Sequence, residues 1–197
     1  MSAATGSDAE AVLDFWFGAP GSAEFGSARK AWFSKDPAFD ATIRQRFGAL
    51  VERALRGELD DWADAPRSAL ARILLLDQFT RNAFRGTPRA FAGDPRALAA
   101  AAAMVGLRQD EELPTFMRGF VYLPYEHAEG LAMQDEAIRL LTRLAAADPA
   151  QQSMLDYAHR HRAIIERFGR FPHRNAILGR RSTAEEIEFL RQPGSGF

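Results

Sequence analysis

Three stretches of this 197-residue chain combine residue types and spacings that could do chemistry. The first is Leu76-Asp-Gln-Phe-Thr-Arg-Asn82, with Arg85 shortly after it. It lies where Leu70, Ile73, Leu74, Leu75, Leu76, Phe79 and Phe84 leave almost no polar face, the pattern of a buried central helix. At about 100° per residue, Asp77 and Arg81 project within roughly 20° of Leu70, into that apolar surface. They stand four apart, the spacing at which an acid N-terminal to a base pairs on a helix. Desolvation makes a buried unpaired charge too costly to leave alone. The pair therefore either locks helix packing as an internal ion pair or, with Gln78, Asn82 and Arg85, faces a ligand.

The second stretch is Tyr122-Leu-Pro-Tyr-Glu-His-Ala-Glu129. His127 falls four residues before Leu131, which begins the stripe Leu131, Gln134, Ile138 and Leu141, so it is expected to point inward. Glu126 and Glu129 share a different face. In one reading the acids complement a helix N-terminus and His127 is a hydrogen-bonded core residue. In the other, Glu126 and His127 form a general acid–base pair, which requires pKa values near neutrality.

The third stretch, Tyr157 to Ala184, carries seven arginines against the single acid Glu166. His161 lies on its Met154/Ala158/Ile165/Phe168 stripe. Past Gly169, the run Arg170-Phe-Pro-His-Arg-Asn175 does not stay helical beyond Pro172. Guanidinium forks suit carboxylate or phosphate, so Arg170, His173, Arg174 and Asn175 are the candidates for gripping an anion. Arg160, Arg162 and Arg181 read instead as a solvated face.

Composition narrows the chemistry further. There is no cysteine, which removes disulfides, thiolate metal sites and cysteine nucleophiles. Asp156-x-x-His159 is half of a carboxylate-bridged metal motif, but no Glu-x-x-His completes it, so no metal site and no cofactor are expected. Phosphate-binding glycine loops and a Gly-x-Ser-x-Gly elbow are also missing. A net charge of −1 gives no general attraction to nucleic acid or to an anionic membrane. The run of small and apolar residues from Ala97 to Leu107 falls short of the ~20 that span a bilayer. The N-terminus lacks the basic and apolar regions of a signal peptide, and a soluble cytoplasmic protein is expected.

Helical periodicity supplies the framework. Asp36-Pro37, Asp94-Pro95 and Asp148-Pro149 each place a capping acceptor before a proline at the first helical position. Asp8 is read as the cap of a short helix through Trp16, and Pro66 opens one reaching about Asn82. Two more are expected over 114–122 and 125–144, broken or kinked at Pro124. Thr183-Ala-Glu-Glu186 is a capping box that starts a last helix. The aromatic strings Phe15-Trp16-Phe17 and Trp32-Phe33 read as core. No period-2 segment suggests a strand, so the chain is all-α.

Together, Phe15-Trp16-Phe17-Gly18, Leu76-Asp-Gln-Phe-Thr-Arg-Asn82, Arg85-Gly-Thr87, Tyr122-Leu-Pro-Tyr-Glu-His127 and Arg167-Phe-Gly-Arg-Phe-Pro-His-Arg-Asn175 resemble bacterial domain-of-unknown-function family 924. The resemblance spans roughly Ala9 to Leu190 and implies a fold of the TPR-like helical superfamily, with no activity attached. The chain departs from the family pattern at Thr80, where proline is usual, and at Ala128, where serine is usual. The expectation is a single TPR-like domain over 9–191, built from about 8–10 helices in antiparallel hairpins, between a disordered tail (1–8) and a short C-terminal tail (192–197). Within it, Asp77, Gln78, Arg81, Asn82, Arg85, His161, Arg170, His173, Arg174 and Asn175 line an internal pocket for a small anionic ligand. Glu126 and His127 are its proton-transfer pair. The rival expectations are a module that binds a peptide carboxylate in a groove and a purely structural polar network.

Overall fold

The computed structural model describes residues 2–196, with side chains from Ser7 onward. Its α-helices are α1 (Ser2–Phe17), α2 (Pro37–Arg56), α3 (Pro66–Leu74), α4 (Thr80–Ala83), α5 (Asp94–Gly106), α6 (Thr115–Glu126), α7 (Leu131–Ala147), α8 (Gln152–Phe168) and α9 (Ala184–Leu190). Short 3₁₀ turns join several of them, and the described residues contain no strand. No helix among them is long and apolar enough to cross a membrane.

The apolar segment opened by Pro66 is the central element. Leu70, Ile73 and Leu74 are wholly buried, and α3 packs against α1, α5 and α6. Helices α6, α7 and α8 follow one another as hairpins closed by short links, while α2 lies on α4 and the turn before it. Trp16, Phe17, Phe79 and Phe120 anchor the main core, with Trp16 meeting Phe79 at 5.3 Å and Phe120 edge-on at 5.8 Å between ring centroids. Phe33 departs from its expected place in the core: it is 70% exposed.

Local signals set most boundaries, and three differ from expectation. Asp36 caps α2, its Oδ1 accepting from the N–H groups of Ala38 (2.9 Å) and Phe39 (3.2 Å). The Thr183/Glu186 capping box is present at α9. Helix α1, however, begins at Ser2, so Asp8 lies inside it and the segment expected as a tail is helical. Helix α6 runs through Pro124 and ends at Glu126. Proline removes one N–H, and with the helix ending within a turn no long stretch has to absorb the kink. His127 is thus the C-cap of α6 instead of a first-turn residue of α7. At α5 the N-cap is Gly93 and Asp94 is the first helical residue, with no side-chain cap.

Between α3 and α4 the helix widens into a π turn, Leu75–Phe79, all five residues buried. Such a turn breaks the regular hydrogen-bond ladder. The Thr80 hydroxyl donates to the Leu76 carbonyl at 2.7 Å. Gly93 packs on the same carbonyl so closely that a Cβ there would sit 2.1 Å from the oxygen. Backbone lies on both sides, so no flexible side chain yields. Gly93→Ala is therefore expected to destabilise by about 2–3 kcal/mol, lowering Tm by roughly 5–10 °C; an unchanged thermal melt would show that the α5 start and the π turn are not in this tight contact.

Candidate functional site

The π turn carries Asp77 into the interior, where its side chain is 1% exposed. Its Oδ1 accepts from His127 Nδ1 at 2.7 Å and lies 3.1 Å from Arg81 Nη1, and its Oδ2 accepts from Gln78 Nε2 at 2.6 Å. Arg81 also donates to the Asp77 carbonyl at 2.6 Å and grips the Asp94 carboxylate through both terminal nitrogens, at 2.8 and 3.1 Å. From the far side Arg174 reaches Asp94 Oδ2 through Nη1 (3.2 Å) and the His127 carbonyl through Nη2 (3.1 Å). Its guanidinium stacks against Phe91 and Phe171, 4.7 Å from each ring centroid. Four chain segments distant in sequence meet here: the π turn with α4, the start of α5, the end of α6 and the turn Pro172–Arg174.

Exposure grades outward through this cluster. Asp77 is sealed and Arg174 keeps 8%, while His127 keeps 16% and Arg81 and Asp94 19% each. Burial alone would raise the Asp77 pKa, but the charge on Arg81 and the contacts from His127 and Gln78 outweigh it and hold the carboxyl below its usual range. For His127, burial and then Arg81 lower the pKa against the pull of Asp77, so the imidazole is neutral at pH 7. An ionised carboxylate only accepts, which assigns the hydrogen to Nδ1 and leaves Nε2 as the acceptor nitrogen. This is the orienting logic of an Asp–His dyad in acid–base enzymes. Burial, with Arg81 adding repulsion, lowers Arg174 to about 10, still protonated at neutral pH.

A second acid–histidine contact lies deeper. Glu126 Oε1 is 2.8 Å from His161 Nδ1, which also donates to the Tyr157 carbonyl at 3.0 Å. Both side chains are buried, and Glu126 Oε2 has no hydrogen-bond partner. Gln134, which is fully buried, ties the carbonyls of Glu126 (2.6 Å) and Ala128 (2.8 Å), satisfying the open end of α6. The His127 and His161 rings are 6.2 Å apart. Glu126 and His127 are thus not a pair: each serves a different partner, and only His127 belongs to the partly open layer. His173 stands beside Phe171, 5.6 Å between centroids, and burial followed by the charge of Arg174 pushes its pKa down to about 3.

Four expected residues go elsewhere. Asn82 and Arg85 both bind Asp40, at 2.8 Å and at 2.7 and 3.0 Å, stapling α4 to the start of α2. Arg170 and Asn175 both bind Glu186, at 2.6 and 2.8 Å and at 3.2 Å, fastening the turn after α8 to α9. In each case a carboxylate remote in sequence had absorbed donors that read as available. Conversely, sequence reasoning missed Asp94, whose Asp-Pro context read as a cap, and Phe91, which lacks any polar signal. It also missed the Glu129–Arg180 pair (2.6 and 2.9 Å) that clamps Phe171, with Glu129 taking its N–H (2.8 Å) and Arg180 its carbonyl (3.0 Å). Among the described residues no group of three or more His, Cys, Asp or Glu side chains is arranged to hold a metal ion.

The profile of a bacterial family described as a protein of unknown function, DUF924, matches residues 12–194, and the chain belongs to that family. A solved structure of a protein of unknown function from Agrobacterium tumefaciens is similar to this chain, at 41% identity and a TM-score of 0.83, over 94% of this chain and 98% of the other. No curated protein matches the chain.

The buried histidines make stability depend on pH. His173 and His127 resist protonation when folded, whereas in the unfolded chain they titrate near 6.5. Below that value the unfolded state binds protons that the folded state refuses, so stability falls as the pH drops from 7 toward 3. Asp77, depressed in the fold, loses its contribution only in stronger acid. In urea titrations at a series of pH values, His173→Gln is expected to flatten the slope between about pH 6.5 and 4; an unaltered slope would remove His173 as its source.

Proposed function

We propose that this protein binds a small anionic ligand on the open side of Arg81 and Arg174, with His127 as the group that exchanges a proton with it. The observation that carries this reading is Arg174. Its guanidinium is stacked between two phenyl rings, it is more than nine-tenths buried, and its Nε has no hydrogen-bond partner. It shares the Asp94 carboxylate with Arg81, which already has Asp77. A buried guanidinium held in a fixed plane and short of acceptors is costly as packing and effective as an anion hook. The orientation of His127 by Asp77 supports a proton-transfer role, since it sets one tautomer on a ring that keeps contact with solvent. Glu126 lies a layer too deep to touch the same ligand. A peptide carboxylate held by Arg170 and Asn175 is less well supported, because Glu186 already occupies both.

The test is thermal unfolding across a panel of small carboxylates and phosphates. A ligand at a hundredfold excess over its Kd stabilises by about 2.7 kcal/mol, roughly 5–10 °C for a chain of this size. The wild type is expected to show such a shift with at least one anion, and Arg174→Ala, folded by circular dichroism, to lose it. A broad panel that leaves the wild type unmoved overturns the reading.

A further inference from the structure

Three Asp-Pro pairs open helical segments, and two of them use the aspartate as a cap. Asp36 accepts from Ala38 and Phe39, and Asp148 accepts from the Ala150 N–H at 3.1 Å. Asp94 does not. It sits inside the first turn of α5, which has no side-chain cap, and its carboxylate bridges Arg81 and Arg174 instead. One end of α5 thus lacks the acceptor that its counterparts have, while the carboxylate suited to that place fills the gap between two arginines.

We propose that the ligand of this site is a monocarboxylate that takes the seat of the Asp94 carboxylate, which then moves to cap α5. The inference rests on the anion-binding reading above. Three features support the exchange. The Asp94 bridge is complete only toward Arg81, because Arg174 meets it through one nitrogen at 3.2 Å and keeps an unpartnered Nε. Asp94 is 19% exposed, so its way out passes through solvent and not through the core. Unwinding α5 by one residue makes Pro95 the first helical residue, the position Pro37 holds in α2 and the one proline prefers. Charge selects the ligand class. A carboxylate replacing a carboxylate leaves the balance around Arg81 and Arg174 unchanged, whereas a phosphate dianion adds a second negative charge beside Asp77.

The test uses glycolate, a monocarboxylate with a hydroxyl for His127, and inorganic phosphate. Titration calorimetry compares the wild type with Asp94→Asn, which keeps the side-chain shape and the capping ability but removes the competing charge. Amide exchange at Arg96, the N–H that a moved Asp94 would cap, is followed in the wild type. Expected are glycolate binding stronger than phosphate binding in the wild type, about tenfold tighter glycolate binding in Asp94→Asn, and slower Arg96 exchange when glycolate binds the wild type. Glycolate binding with no change at Arg96, or with equal or weaker affinity in Asp94→Asn, overturns the exchange while leaving an anion site. Stronger binding of phosphate in the wild type overturns the monocarboxylate class. Binding of neither anion by either protein, with the wider panel also silent, overturns the anion reading itself. Should Asp94→Asn fail to fold, the wild-type exchange measurement decides alone.

Discussion

A carboxylate placed in the middle of the core helix governs the rest of the polar architecture. Asp77 has no route to solvent, so donors must be brought to it, and each donor brings a further demand. His127 answers it from the end of α6 and Arg81 from the next turn of its own helix. Arg81, itself only partly exposed, then needs more acceptor than Asp77 offers and draws in Asp94. Asp94 in turn meets Arg174, which is held flat by Phe91 and Phe171. The chain of satisfaction runs outward from the core until it reaches partly wet groups. Packing alone would have stopped with hydrophobic residues, which fill such a volume without desolvating any charge.

Much of this was legible in the sequence because it is local. The Asp77–Arg81 spacing, the inward direction of His161, the capping box at Thr183 and the all-helical class all follow from residues within two or three turns of one another. His127, by contrast, turns inward as the end of α6 and not through the Leu131 stripe, whose first residue is exposed. What was not legible depends on tertiary contact. Nothing near Asn82 and Arg85 announces Asp40, and nothing near Arg170 and Asn175 announces Glu186 as their shared acceptor, although Glu186 was itself read correctly as half of a capping box. A count of arginines therefore overstated the free positive charge of the segment after α8. It named Arg174, which meets Asp94, together with neighbours whose partners lie on other helices.

The π turn is the other blind spot. A helical wheel at a constant angle places Asp77 and Arg81 on one face, which is where they are found, but it cannot show that Leu75 to Phe79 are all buried at once. The widened turn depends on the Thr80 hydroxyl and on the bare Cα of Gly93, a residue whose φ and ψ any amino acid could adopt. Its requirement is for closeness, and closeness between segments leaves no mark in a single sequence. Asp94 illustrates the opposite error: a sound local rule assigned it a role that a distant pair of arginines had taken.

The turn that carries Arg174 differs in kind from the helix that carries Arg81. Phe171 belongs to a small apolar cluster with Ile164 and Ile165, separate from the main core. Its segment is otherwise fastened by charged contacts, Arg170 with Glu186 and Arg180 with Glu129. Pairs buried to this degree are screened less than exposed ones, but unlike the apolar contacts of α3 they depend on charge. The two guanidinium groups are thus held in different ways, Arg81 beside the main core helix and Arg174 on a turn fixed by ion pairs and a small apolar cluster. The cluster therefore joins two kinds of support at one carboxylate, since Asp94 touches both arginines.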